Sequence, residues 1–418
     1  SVENITYVLL GRITVERTAV LRLQAGLVLK AVDSQAGFEV HGGLEAHGTA
    51  DSMTVFTSVR DDACGRPYDT NRDESRSAPA IGDWFGIAFE DSSAGGLAWC
   101  RVRFGGESAL VAGGQDVDLS VAHCVLADGV RGVSVGQGAH LSFADNEVRA
   151  CREVPLEITP ATVLTQAGNS FLANGLTAIG LRDEPLARPG RLRALDIGGH
   201  AGLAYYLNGL LSVEASLVVD PGVVIKFAPG ATGMAVHASL AAAGELQAPI
   251  VFTSVHDDCH GAPLDAAGNG WDPGPCPGDW GGLDFGASSD LDHSLLEHCI
   301  ISFGGYEGVG AVSAHGRAPN MRSCTLWWNL VGFQMEYFPA GLAKGLPGET
   351  ALSPRRPGAQ IARDVVGNDF AGNVVPVIND LGGVLTQDTI LELVEPQLGV
   401  PVVNRLAGDL IVPHGVTL

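Results

Sequence analysis

Val55-Phe56-Thr57-Ser58-Val59-Arg60-Asp61-Asp62, followed by a loop rich in Gly, Asp, Asn and Pro and then by Gly82-Asp83-Trp84-Phe85-Gly86-Ile87-Ala88-Phe89, is the stretch that decides the fold. It returns as VFTSVHDD from Val251 and GDWGGLDF from Gly278, and Phe56 to Gly82 spans the same 26 steps as Phe252 to Gly278. Two strands and the length of the loop between them are kept while the loop residues drift. That is a scaffold unit copied in tandem.

Working outward, Gly26-Leu27-Val28-Leu29-Lys30 matches Gly222-Val223-Val224-Ile225-Lys226, and FEVHGGLEAHG from Phe38 matches MAVHASLAAAG from Met234. Apolar residues alternate with period two, and Ala-Gly or Pro-Gly steps supply the turns, so these are strands. A shorter period follows. LSVAHCVL from Leu119, LSFADNEV from Leu141 and LTQAGNSF from Leu164 put Cys124, Asn146 and Asn169 in one column, with Cys100 lying 24 residues before Cys124. Gly129, Cys151 and Asn174 form a second column at the next turn. In the second unit Cys299 and Cys324 are 25 apart; Asn368 lies 44 beyond Cys324, a step that reads as two rungs, and Asn329 and Asn373 continue the turn column.

Rungs of about 22–25 residues, stacked like over like, predict an all-β chain folded as a right-handed parallel β-helix. The LxxLxLxxN spacing of leucine-rich repeats is not kept. The rungs nest in two longer units, expected at 1–202 and 203–400, with the start of a third at 401–418, where Gly415-Val416 aligns with Gly222-Val223. One continuous solenoid is expected, open at its C-terminal end and completed by further units or by another copy.

The 418 residues are 46% apolar and 17% charged, with 56 Gly and a formal charge of -22. That balance suits many short buried strands and argues against nucleic acid or an anionic membrane surface as the main partner. The chain has no run of eighteen apolar residues and no basic-then-apolar leader after Ser1, so a soluble protein without membrane insertion is expected, mature or a fragment.

Acidic ligands cluster only between VFTS and GDW. The first loop carries Asp61, Asp62, Asp69, Asn71 and Asp73, of which Asp69, Asn71 and Asp73 give the alternate-residue oxygens of a calcium loop, without its sixth-position Gly or its distal acid. The second loop offers Asp257, Asp258, Asp265, Asn269 and Asp272. Calcium is therefore the candidate cofactor, weighed against plain solvated turns. Asp83 and Asp279 are read as turn-closing carboxylates, and Trp84 and Trp280 as caps on the bore. Cys259 and Cys276 bracket the second loop and are expected to form a disulfide contributing roughly 3 kcal/mol. The four cysteines of the rung column are read as buried free thiols.

No catalytic residue is assigned. The chain lacks the Gly-His-Gly and Arg-x-Lys of β-helix pectinases, and its paired acids are duplicated, which suits a repeated loop better than one active site. A calcium-assisted lyase would need basic residues beside the acids; Arg60, Arg66 and Arg72 lie near the first loop, His256 and His260 near the second.

The repeated VFTS…DD…GDW unit, with Gly168-Asn169-Ser170-Phe171 and Gly367-Asn368-Asp369-Phe370, resembles the right-handed parallel β-helix repeats of large secreted or surface-displayed bacterial proteins. The resemblance covers nearly the whole chain. Relatives of that kind often carry a calcium-like DTNxDG stretch; Asp69-Thr70-Asn71 matches it, while Glu74 replaces the Gly. It implies an extracellular or cell-surface structural or adhesive module, with further repeat units, surface carbohydrate or protein as partners. A carbohydrate-active lyase or hydrolase is the alternative on this fold.

Overall fold

The computed structural model describes residues 6–270, 272–337, 365–384 and 402–411. Among them every extended pairing between strands is parallel, the only antiparallel contacts being isolated bridges at tight turns, and the one helical turn is the 3-10 segment Tyr306–Gly308. The chain divides into two compact units: Ser1–Arg182 with Leu195–Tyr205 and Gly261–Gly270, and Asp183–Ala194 with Tyr206–His260 and Trp271–Leu418. Each unit is built as a parallel β-helix.

In the first unit one sheet runs Thr6–Leu9, Val28–Ala31, Thr54–Ser58, Cys100–Arg103, Val125–Ala127, Glu147–Arg149, Ser170–Leu172. A second contains Gly37–Val40, Gly86–Phe89, Ser108–Ala112, Arg131–Val135 and Leu156–Ile158, and a third contains Gly43–His47, Ala94–Ala98, Asp118–Ala122, His140–Ala144 and Val163–Ala167. Each coil contributes one strand to each sheet. In the second unit Ile250–Ser254, Trp280–Phe285 and Leu295–Glu297 each belong to a different sheet. Like stacks on like inside the bore: Leu141 pairs with Leu119 on one side and Leu164 on the other, and Val102 pairs with Leu126. Alternation places these side chains inward, where burial supplies about 25 cal/mol per Å².

The columns read from the sequence are hydrogen-bonded ladders. Cys124 N donates to Asn146 Oδ1 at 2.9 Å, and Asn146 N donates to Asn169 Oδ1 at 3.1 Å. Asn146 Nδ2 and Asn169 Nδ2 donate to the carbonyls of Val121 and Phe143. Cysteine does the same work with sulfur: Cys100 N donates to Cys124 Sγ at 3.4 Å, and Cys124 Sγ lies 3.5 Å from Leu97 O. The residue before each member is left-handed, with φ of 53° at Trp99, 54° at His123 and 53° at Asp145. That conformation is disfavoured for residues with a Cβ, and the side-chain bond one residue later satisfies the backbone groups it strands. At Gly168, which ends the series, a Cβ would meet Asp145 Oδ1 at 2.0 Å.

The second unit repeats the device and corrects one count. Cys324 N donates to Asn368 Oδ1 at 2.8 Å, Asn329 N donates to Asn373 Oδ1 at 2.9 Å, and Met321 pairs directly with Val365. The 44-residue step is one rung, not two. Its surplus falls in 338–364, outside the described residues. Val402–Ile411, where a third unit was expected to begin, pairs in parallel with Val375–Val384; residues 412–418, including Gly415 and Val416, lie outside the described residues.

Asn146→Ala strands the Cys124 N–H and the Val121 carbonyl in the core, and a loss of about 3 kcal/mol is expected from urea unfolding. Asn146→Cys, which copies the neighbouring coil, is expected to recover roughly half of that loss, because sulfur is the weaker acceptor.

Candidate functional site

The two long loops leave the VFTS strands and are tied down on the same residues in each unit. Lys30 and Lys226 come from the strand one coil earlier, paired with Thr57 and Thr253, and both are 0% exposed. A buried ammonium is tolerated only where its protons are matched by acceptors. Lys30 Nζ donates to the carbonyls of Asp61 and Tyr68, each at 2.8 Å, and Lys226 Nζ donates to the carbonyl of Asp257 at 2.7 Å. Thr57 and Thr253 Oγ1 then donate to Oδ2 of Asp61 and Asp257, both at 2.7 Å.

The far ends of the loops close alike. Ser58 Oγ donates to Asp83 Oδ2 and Ser254 Oγ to Asp279 Oδ2. Trp84 and Trp280 are fully buried, their Nε1 donating to the carbonyls of Arg103 and Ser302. The expected turn-closing and capping roles are met, and neither Trp presents a face for a sugar.

Asp61 and Asp257 belong to this base rather than to a cation site. Asp61 is 2% exposed, accepts from Ala63 N, and has Arg103 Nη1 3.5 Å from its Oδ2. Asp257 accepts from Cys259 N and is 2.7 Å from His260 Nδ1. Burial pushes the Asp257 carboxyl upward, but the bonds from His260 and Thr253 outweigh it and hold it below the usual range. Sequence order cannot separate Asp61 from Asp62. The fold does: in the turn after Thr54–Ser58, Asp61 faces Thr57 and Arg103 while Asp62 faces Asp69 and Asp73.

Above the base of the first loop, carboxylate oxygens of Asp62, Asp69 and Asp73 lie within 4.8 Å of one another, the only such acidic group among the described residues. The backbone wraps around them: Asp69 Oδ1 and Oδ2 accept from the N–H groups of Asp73 and Glu74, both at 3.0 Å. Asp73 accepts from the Ser77 hydroxyl, from Ser77 N and Arg76 N, and from Asn71 Nδ2 at 2.9 Å; together, Ser77 foremost, these hold its carboxyl below the usual range. Two oxygens are left over. Asp62 Oδ1 and Asn71 Oδ1 are buried and have no hydrogen-bond partner. Orphaned oxygens beside three carboxylates fit a hard cation with oxygen ligands, and calcium suits them better than an imidazole- or thiolate-seeking metal.

The second loop has the same backbone and different donors. Gly268 and Gly270, with φ of 66° and 65°, stand where the first loop has Arg72 and Glu74, both at 58°. Glu74 therefore makes the bend that the missing Gly would make. Asp265 accepts from the N–H groups of Gly268, Asn269 and Gly270, and Asp69 accepts from the equivalents of the last two, Asp73 and Glu74. Asn71 and Asp73, however, are replaced by Ala267 and Asn269. Asp257, Asp258, Asp265, Asn269 and Asp272 are accordingly not drawn into an acidic group like that of the first loop.

The expected bridge across the second loop is not formed: Cys259 and Cys276 are exposed free thiols. Each is fixed at its own end of the loop, Cys259 through its N–H to Asp257 and Cys276 through its carbonyl to Asp279 N. Among the other cysteines, burial pushes the Cys151 thiol up to about 12, and burial with the nearby Asp61 carboxylate pushes Cys64 up to about 11. These thiols are not nucleophiles at neutral pH.

The sheet that follows the GDW turn carries charge that is not repeated. In the first unit Arg131 pairs with Glu153 and Glu157, and Ser134 links Glu157 to Arg182. In the second, His315 Nε2 is 3.0 Å from Asp284 Oδ1 and its Nδ1 is 3.0 Å from Glu336 Oε2. Both ring nitrogens are engaged, so the imidazole is a staple across three coils. No protein-family model, curated protein or solved structure matches this chain.

The Asp284 bond, opposed by burial and assisted by Glu336, raises His315 above its ordinary value of 6.5. A raised folded value means that the stabilisation is complete below pH 6.5 and is lost as pH rises through the folded value. Unfolding midpoints of wild type and His315→Gln should therefore differ most at pH 5 to 6 and converge at pH 9; equal differences at both pH values would contradict the staple.

Proposed function

We propose that the chain is a non-catalytic structural or adhesive β-helix element of the cell exterior, with its first long loop stiffened by calcium. The observation that carries this reading is the duplication of the clasp. The same Lys, Thr, Asp, Ser, Asp and Trp hold a loop of the same length in both units, as a periodic scaffold requires. A catalytic centre needs an acid or base with an open position toward substrate. The unrepeated clusters on the sheet after GDW spend their charges on one another.

The acidic balance and the resemblance to surface-displayed repeats support an extracellular setting, with further repeat units or a second copy end to end as partners, and surface carbohydrate or protein as ligand. In the first loop Asp62, Asp69, Asp73 and Asn71 would hold calcium, which would neutralise three neighbouring carboxylates and fix the loop tip.

Thermal unfolding with added calcium, against chelator, tests the calcium part. Calcium at about 100 times its Kd should stabilise wild type by about 2.7 kcal/mol, and the triple variant Asp62→Ala, Asp69→Ala, Asp73→Ala should show no such gain. A polysaccharide panel assayed for new reducing ends or unsaturated products tests the non-catalytic part. Turnover that His315→Ala abolishes would replace the scaffold reading with an enzyme.

A further inference from the structure

We propose that Lys30 is the positioning residue of the first-loop cation site, an interior ammonium that sets the two aspartates through the peptide groups preceding them. The proposal rests on the calcium reading above and deepens it. Lys30 Nζ bonds the carbonyl of Asp61, whose peptide carries Asp62, and the carbonyl of Tyr68, whose peptide carries Asp69, both at 2.8 Å. The two grips are seven residues apart in the chain. They fix the first two ligand residues against a strand of the β-helix instead of against other loop residues.

The base of the loop is rigid at this point. Lys30 is fully buried, and Gly65, between the grips, is so close that a Cβ there would meet the Lys30 side chain at 3.1 Å. Arg66 N donates to Thr6 Oγ1 at 2.8 Å, anchoring the segment a second time on the strand one coil before that of Lys30. Asp73, the third ligand, is positioned from Asp69 through its own N–H. One ammonium thus governs the whole set: Lys30 sets Asp62 and Asp69, and Asp69 sets Asp73.

Lys226 supplies the control. It makes the equivalent bond to Asp257, but its loop has Ala267 and Asn269 in place of two donors. A Lys→Met change there should loosen a loop without touching a cation site.

The test is calcium binding by titration calorimetry to wild type, Lys30→Met and Lys226→Met, with circular dichroism and unfolding midpoints recorded for each. Outer-shell groups that orient metal ligands typically control affinity by 10–100-fold, so Lys30→Met should bind at least about tenfold more weakly. Lys226→Met should bind as wild type does, although both variants are destabilised. Folded Lys30→Met with wild-type affinity would overturn the positioning role and leave the cation site standing. Absence of calcium binding by wild type itself would overturn the site and the positioning role together. Should Lys30→Met fail to fold, the side-chain nitrogen resonances of the two lysines in wild type decide. Saturating calcium should shift the Lys30 signal and not that of Lys226, and an unmoved Lys30 signal would overturn the proposal.

Discussion

A coil of a parallel β-helix has to turn several times without water to satisfy its bends, so each bend must find its hydrogen-bond partner in the coil stacked next to it. The ladders Cys100-Cys124-Asn146-Asn169 and Cys299-Cys324-Asn368 meet that requirement. A left-handed residue makes the bend, and the following Asn or Cys supplies both an acceptor for the adjacent backbone N–H and a donor to a carbonyl. Everything else depends on this registration. The inward Leu, Val and Phe columns stack because the corners hold like over like, and the loops start from the same point in each unit because their strands do.

Insertions are compatible with such a fold where they leave the ladder intact. The long loop is the clearest case: it departs after Ser58 or Ser254, is gripped at its start by a lysine from the preceding coil, and is returned to the bore by a buried Trp. Within that frame the tip is free to change chemistry. The first loop keeps three convergent carboxylates and two unsatisfied oxygens, whereas the second keeps the bend and has Ala267 and Asn269 in place of Asn71 and Asp73. Retained base and drifting tip are what selection on architecture would leave.

Much of this was legible in the sequence, since periods and columns are direct consequences of stacking. The Asn and Cys columns, the buried Trp caps and the Asp83 and Asp279 closures follow from spacing alone. The 44-residue step counts as two rungs only if rungs are of equal length, and an insertion between strands adds residues without adding a coil. Adjacency in sequence groups Asp61 and Asp257 with the cation ligands, and only the fold shows that they bond Thr57 and Thr253 at the base of the loop. The disulfide expected from loop length failed because closure also requires the two cysteines to approach, and each is fixed elsewhere. Lys30 and Lys226 were visible only as register marks. Their signal was a lone charge repeated inside an apolar strand, which a buried ammonium with loop carbonyls around it explains.

The long loops are folded parts of the β-helix, fixed from below, and not mobile insertions. Native-state hydrogen exchange read by mass spectrometry on 61–77 and 257–270 addresses this most directly. The amides of Ala63, Arg66, Asp73, Glu74 and Ser77, all bonded in the structure, are predicted to exchange on the timescale of the Val28–Ala31 and Thr54–Ser58 strands. Exchange of the loop amides within seconds, while those strands stay protected, would contradict the account.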